Sequence, residues 1–294
     1  MKRAVIIIIN AYSALPTGLN QAERLKSEFE RLGVSADIRR NGFFASLDDG
    51  GKLVNTLCGY DFCVYLDKDK YASAILEMSG LRLFNSHAAV RVCDDKAETH
   101  LALSGRGIPM PQTVPGTLCY DPQAKIKEKD IFFLEKTFGY PIVVKESYGS
   151  LGKGVYKADN RTELEVLCEK LKCTPHLFQR FISSSAGKDI RVIAIGGKAV
   201  AAMERKSDTD FRSNLELGGT AKSIKIGDSL RNICELTAKT LKLDYCGIDV
   251  LHGENGGYLV CEVNSNAFFG GIERVTGVNI ARLYAEYICK QIYG

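Results

Sequence analysis

Five consecutive β-branched residues, Val5-Ile6-Ile7-Ile8-Ile9, stand near the start of the chain and run directly into Asn10. A strand built from such a run has no polar side, so both of its faces must be covered, as in a parallel sheet with helices on either side. The residues that follow suit such a sheet. Residues 20–32 read as a helix, with Leu25, Phe29 and Leu32 at helical spacing and Gly33 at its end. Val34 to Ile38 and Asp61 to Leu66 read as strands, 70–79 as a helix ending at Gly80, and Leu81 to Phe84 as a further strand. Strand, helix and strand repeated in this way predict a small parallel α/β sheet.

After residue 86 the pattern changes. Asp94-Asp95-Lys96 predicts a helix to about Leu103, and 106–125 is the most linker-like stretch, with a short strand at Gln112 to Val114. Strands are expected at 141–146, 154–158, 176–182, 189–195, 198–205, 246–252 and 258–264, and helices at 128–138, 161–172, 228–241 and 278–290. Ser183-Ser184-Ser185 reads as a flexible loop. The expected fold is an α/β N-terminal domain followed by α+β structure.

Composition narrows the function classes. Lys+Arg 39 against Asp+Glu 35 leaves a net charge of +4, too weak and too dispersed for a dedicated nucleic-acid binder. The N-terminal apolar run is too short for a signal peptide, and no window approaches the roughly 18 apolar residues of a membrane span. A cytoplasmic setting is expected. The ten cysteines contain no Cys-x-x-Cys pair, so they are expected to be reduced, buried thiols acting as small hydrophobes.

Three groups of residues carry chemistry. Pro141 to Val155 reads as a buried strand bearing Lys145, then a loop with Gly149, Gly152 and Gly154, then a second strand. Backbone N–H groups of such a loop can turn toward phosphate oxygens, with the Lys145 ammonium beside them. A plain glycine-rich hairpin with an edge lysine fits the same residues. Next, Asp249 lies in one predicted strand and Glu262 and Asn264 in another, joined by a turn-rich segment. Two carboxylates and an amide suit Mg2+, although solvent-facing acids on a sheet would also produce this pattern. Finally, Arg191, Arg205 and Arg212 are suited to converge on an anion, or to form surface salt bridges. The four histidines show no ligand spacing.

The ordered series resembles the ATP-grasp superfamily, and within it the RimK-type glutamate ligases, over roughly residues 85–290. The series is Asp95-Lys96, Lys145 with its glycine loop, Gln179-Arg180-Phe181-Ile182, Asp189-Ile190-Arg191, Arg205, Phe211-Arg212-Ser213-Asn214, Asp249, Glu262-Val263-Asn264 and Gly271-Ile272-Glu273. The resemblance implies an ATP-grasp architecture divided at 1–92, 93–182 and 183–294, with ATP between two α+β lobes. It implies that Lys96 and Lys145, with Gly149 and Gly152, meet the phosphates, and that Gln179 to Ile182 border the adenine. Asp189 would reach the ribose, while Arg212, Ser213 and Asn214 line the nucleotide. Asp249, Glu262 and Asn264 would hold two Mg2+ (or Mn2+) ions.

The chemistry so implied is an ATP-dependent carboxylate–amine ligation through an acyl phosphate, with Arg191, Arg205 and Arg212 offsetting developing charge. Glutamate or another amino acid would join a peptide or small carboxylate. A ligase of cofactor or peptide natural-product synthesis, and a nucleotide-binding protein without turnover, are the alternatives. Neither nucleic acid nor membrane is expected as a partner, and a homo-oligomer is left open. The chain departs from the family at Arg180, where an acid is usual, and at Ser265 to Gly270, near the acceptor. The loop Asn10-Ala11-Tyr12-Ser13, at a strand's carboxyl end, is a further candidate for acceptor binding.

Overall fold

The computed structural model describes residues 3–14, 16–213 and 218–294. The first segment comprises β1 (Ala4–Ile9), α1 (Pro16–Arg31), β2 (Ser35–Arg40), the hairpin β3 (Ala45–Leu47) and β4 (Leu53–Asn55), β5 (Phe62–Leu66), α2 (Lys70–Met78) and β6 (Arg82–Phe84). β2, β1, β5 and β6 form one sheet in that order, and every pairing is parallel. The unbroken apolar run of β1 now has its cause. Val5, Ile7 and Ile9 pack among Leu25 and Phe29 of α1, while Ile6 and Ile8 pack with Leu76 of α2 on the opposite face.

Helices α3 (His87–Asp94) and α4 (Lys96–Leu103) lead to β7 (Thr113–Pro115), α5 (Glu128–Phe138), β8 (Ile142–Glu146), β9 (Val155–Ala158), α6 (Arg161–Leu171) and β10 (His176–Arg180). The second sheet runs β7-β10-β8-β9 and is antiparallel. It has its own core, in which Ile131, Leu134 and Leu164 of the helices meet Ile142, Val144 and Phe178.

The third sheet is built from β11 (Lys188–Ile195), β12 (Lys198–Lys206), β13 (Thr220–Ser223), then, after α7 (Asp228–Thr240), β14 (Tyr245–His252) and β15 (Tyr258–Asn264). Its order is β13-β12-β11-β14-β15, antiparallel throughout. Helices α8 (Gly270–Thr276) and α9 (Ile280–Tyr293) close the chain. One sheet face packs on α7 through Val192, Ala194, Ile248, Leu230 and Cys234. On the other, Ile193, Ile195 and Tyr245 share a core with β1, α1 and α9. The first and third sheets are therefore joined by one apolar core, while the second sits on its own. Along β11, Asp189 and Arg191 share a face with Ile193 and Ile195, since alternate residues of a strand point the same way. That face passes from apolar core to polar cleft within a few residues.

Several elements differ from the sequence expectation. α1 starts at Pro16, a residue suited to a helix's first turn. The helix expected to open at Asp94 is preceded by α3, which Ser86 caps, and Asp95 caps α4 by accepting from the N–H groups of Ala97 and Glu98. Ser183–Ser185 forms a 3-10 turn with Ser185 buried, because the Ser185 hydroxyl bonds Lys188 O and His252 N. The strand expected over 176–182 ends at Arg180. The short β3, β4 and β13, and α8 with its two leading glycines, carry too little local signal to be foreseen.

All ten cysteines are free. Cys63, Cys93, Cys168, Cys234 and Cys246 are buried as expected, and burial pushes the Cys93 thiol up to about 12. Cys58 and Cys173 are exposed instead. Among the described residues no helix is long and apolar enough to cross a membrane.

Candidate active site

A cavity of about 860 Å3 is lined by all three sheets. Asn10, Arg40 and Lys68 enter it from the carboxyl ends of β1, β2 and β5, and Ser150 to Gly152 from the β8–β9 loop. Asp189, Arg191, Arg205, Asp249, Glu262 and Asn264 come from the third sheet.

The four central charges follow from strand register. Asp189 on β11 faces Arg205 on β12, and Arg191 on β11 faces Asp249 on β14. Arg191 grips Asp249 with two bonds, Nε to Oδ1 at 2.6 Å and Nη2 to Oδ2 at 2.5 Å. Arg205 grips Asp189 in the same way and reaches Asp249 Oδ1 at 3.1 Å. Burial alone would raise the Asp249 pKa, but the guanidiniums of Arg191 and Arg205 outweigh it and hold the carboxyl at about 2. Arg212 forms a third such pair with Asp210, and its Nη1 also donates to Gly152 O at 2.6 Å. This contact fastens the glycine loop to the third sheet's following segment.

Asp249 also faces Glu262 across β14 and β15, and a register shift just beyond, between Asp249 and Val250, leaves Cys261 unpaired. Cys261 thereby joins Glu262 in the cavity wall, and Lys145 Nζ lies 3.3 Å from its sulfur. Among the described residues Glu262 has no ion-pair or hydrogen-bond partner for its carboxylate, and no three His, Cys, Asp or Glu cluster. Two carboxylates and the Asn264 amide are thus the oxygen donors at hand. They fit a hard divalent ion that completes its shell with phosphate oxygens and water, with Arg191 competing for Asp249.

The remaining sequence candidates are distributed as follows. Lys145, Gly152, Gln179, Arg180, Phe181, Ile182, Asp189, Arg212 and Ser213 line the cavity. Lys96 and Gly149 do not. Lys96 is buried and donates to Gly149 O at 2.9 Å, so it holds the loop from behind, and burial lowers its pKa. Asn214 lies outside the described residues. Gln179 is buried, its Nε2 bonded to Thr113 Oγ1 at 2.9 Å and 3.2 Å from His100 Nε2. The Phe181 and Phe211 rings approach to 6.3 Å and both face the cavity.

Sequence reasoning missed Arg40, Lys68, Cys261 and Arg274 as wall residues. It did single out the loop Asn10 to Ser13 and the segment Ser265 to Gly270, and both contribute to the wall. The second segment is held from three sides. Asn85 Nδ2 donates to Ser265 O at 2.8 Å, Tyr245 OH donates to Ala267 O at 2.7 Å, and Gln21 of α1 reaches Ala267 O. Gly247 is required beneath it, since a Cβ there would stand 2.5 Å from the Ala267 Cβ. Gly247→Ala is expected to cost about 1–3 kcal/mol, as overpacking does. Urea unfolding would measure this, and an unchanged midpoint would show that the segment yields freely.

Comparison with known proteins agrees with this geometry. A family described as the RimK-like ATP-grasp domain matches residues 93–288. Beta-citrylglutamate synthase B of Danio rerio is 31% identical over 227 residues, 76% of this chain and 55% of that protein. The chain thus spans about half the length of that relative. A probable alpha-L-glutamate ligase of Vibrio cholerae is 38% identical over 227 residues, 75% of this chain and 72% of that one. Among solved structures, D-alanine–D-alanine ligase from Bacillus anthracis complexed with ATP has the same fold at a TM-score of 0.74. The match covers 98% of this chain and 96% of that one at 16% identity.

Proposed function

Since the chain belongs to the RimK-like ATP-grasp family, we propose that it is an ATP-dependent ligase that joins a carboxylate to an amine through an acyl phosphate. Glutamate or another amino acid supplies the amine, and a peptide or small carboxylate accepts it. The observation that carries this reading is one cavity holding a lysine-bearing glycine loop, three arginines and the Asp249–Glu262–Asn264 oxygen donors. The names of relatives, beta-citrylglutamate synthase and probable alpha-L-glutamate ligase, favour glutamate. The three lobes are taken as 1–92, 93–182 and 183–294.

On this reading the base lies by Phe181 and Phe211, with Arg180 to Ile182 along its edge. Lys145 and the loop N–H groups, steadied by Lys96, hold the phosphates. Glu262, Asn264 and Asp249 would hold a divalent ion, which would neutralise charge on the triphosphate. Arg212 faces the transferring phosphoryl group and keeps the loop over it. Arg191, gripping Asp249, lies beside these oxygen donors and offsets negative charge on the acyl phosphate. Catalysis then rests on positioning and electrostatics, with no covalent nucleophile.

The test is ADP formation from ATP across a matrix of amino acids and carboxylate acceptors, with products weighed by mass spectrometry. One pair is expected to stimulate ADP release and to yield its amide. ATP binding without stimulation by any pair would favour a nucleotide-binding protein and defeat the ligase reading.

A further inference from the structure

Four arginines of the cavity wall can be compared by the same guanidinium edge. In Arg191, Arg205 and Arg212, Nε and Nη2 both point at one carboxylate, that of Asp249, Asp189 and Asp210 respectively. Arg40, the last residue of β2, differs. Among the described residues only its Nη1 is bonded, to the carbonyl oxygens of Asn10 at 3.2 Å, Ala11 at 3.4 Å and Ser13 at 3.0 Å. Among the described residues no acid pairs with it. Asp67, an acid of the same wall, is engaged elsewhere: Oδ1 accepts from Asn10 Nδ2 and Lys68 N, and Oδ2 from Asn41 Nδ2.

The three carbonyl contacts hold Nη1 of this solvent-exposed arginine against the loop after β1, and leave its Nε–Nη2 edge without a bond among the described residues. That edge matches the two oxygens of a carboxylate. It also stands at the carboxyl end of the edge strand β2 and, through the loop after β1, borders the point between β1 and β5 where the strand order reverses. In α/β sheets ligands bind at such switch points. The nucleotide reading uses none of these residues.

We infer that Arg40 receives a carboxylate of the acceptor other than the one that is phosphorylated, so that the acceptor is at least a dicarboxylate. The inference rests on the ligase reading for the identity of its ligand.

Hydroxylamine provides the test, because it replaces the unknown amine. It attacks the acyl carbon, the new C–N bond forms, the C–O bond to phosphate breaks, and phosphate leaves a hydroxamate. With the full chain and Mg-ATP, glutarate is expected to show a KM about ten-fold below that of its monoamide glutaramate. Arg40→Gln should bring the two KM values together, and Arg40→Lys should restore part of the preference. The inference is overturned if the native protein shows no preference, or if Arg40→Gln raises both KM values equally, as loss of a mere loop scaffold would. Calorimetric titration with citrate separates the two readings. Citrate binding that Arg40→Gln abolishes, without hydroxamate from any carboxylate, removes the ligase and keeps the Arg40 site. Citrate bound equally by both proteins, or by neither, removes the site.

Discussion

Asp249→Asn is expected to destabilise the protein by about 2–4 kcal/mol, because it leaves the largely buried Arg191 guanidinium, 13% exposed, without its carboxylate. ADP formation should be lost as well. Glu262→Gln separates the two effects. Glu262 has no partner among the described residues, so its loss should suppress turnover while the urea midpoint stays near that of the native protein. A further control is Arg191→Met combined with Asp249→Leu, which removes both charges together. Stability should largely return while activity stays absent. An unfolding midpoint of Asp249→Asn equal to the native value would show that the pair contributes nothing. Acid adds a second check. The carboxyl is held at about 2 against an ordinary 3.8. Its contribution is therefore complete above about 3.8 and disappears as pH falls through about 2. No stability change from this pair is expected near neutrality.

Arg212→Ala is expected to lower turnover by about 100-fold or more, the scale seen when one fixed donor to a developing anion is removed. Stability should change little, by roughly 0–1 kcal/mol, because the Asp210 pair is partly exposed. The variant also loses the bond to Gly152 O, so the KM for ATP should rise together with the fall in kcat. Arg212→Lys keeps the charge but not the fork, and should recover only a fraction of the rate. Steady-state kinetics with the substrate pair identified by ADP release measures all of this. A kcat within two-fold of the native value in Arg212→Ala would exclude a part for this arginine in the chemical step.

Legibility in the sequence followed the range of the physics involved. β1 is a continuous apolar run, β8 and β14 are mostly apolar around Lys145 and Asp249, and helices such as α5, α6 and α7 repeat at 3.6 residues, so local periodicity located them to within a few residues. The three-residue strands β3 and β4 hold too little pattern, and their pairing is a tertiary event. The site divides in the same way. Lys145 beside three glycines, and Glu262 two residues before Asn264, are visible because their spacing is local. That Arg191 and Asp249, 58 residues apart, hold each other is not. From sequence the arginines read equally as anion receptors or as members of salt bridges, and in the fold each grips an aspartate.

Lys96 and Arg40 show the limit most clearly. Lys96 falls in the place where a phosphate-binding lysine is expected, yet its ammonium ends on a loop carbonyl. Arg40 reads as one more charge at a strand end, yet the loop after β1 folds onto its Nη1 and the residue lines the cavity. The sequence alone predicted the parallel first sheet, the strands and helices around it, and the glycine loop, and it singled out Asp249, Glu262 and Asn264 as candidates. The cues for these, apolar runs, helical spacing and clustered glycines, lie close along the chain. Tertiary structure alone decided which charges pair and how the first and third sheets share a core. Those outcomes depend on strand register and on side chains brought together across tens to hundreds of residues.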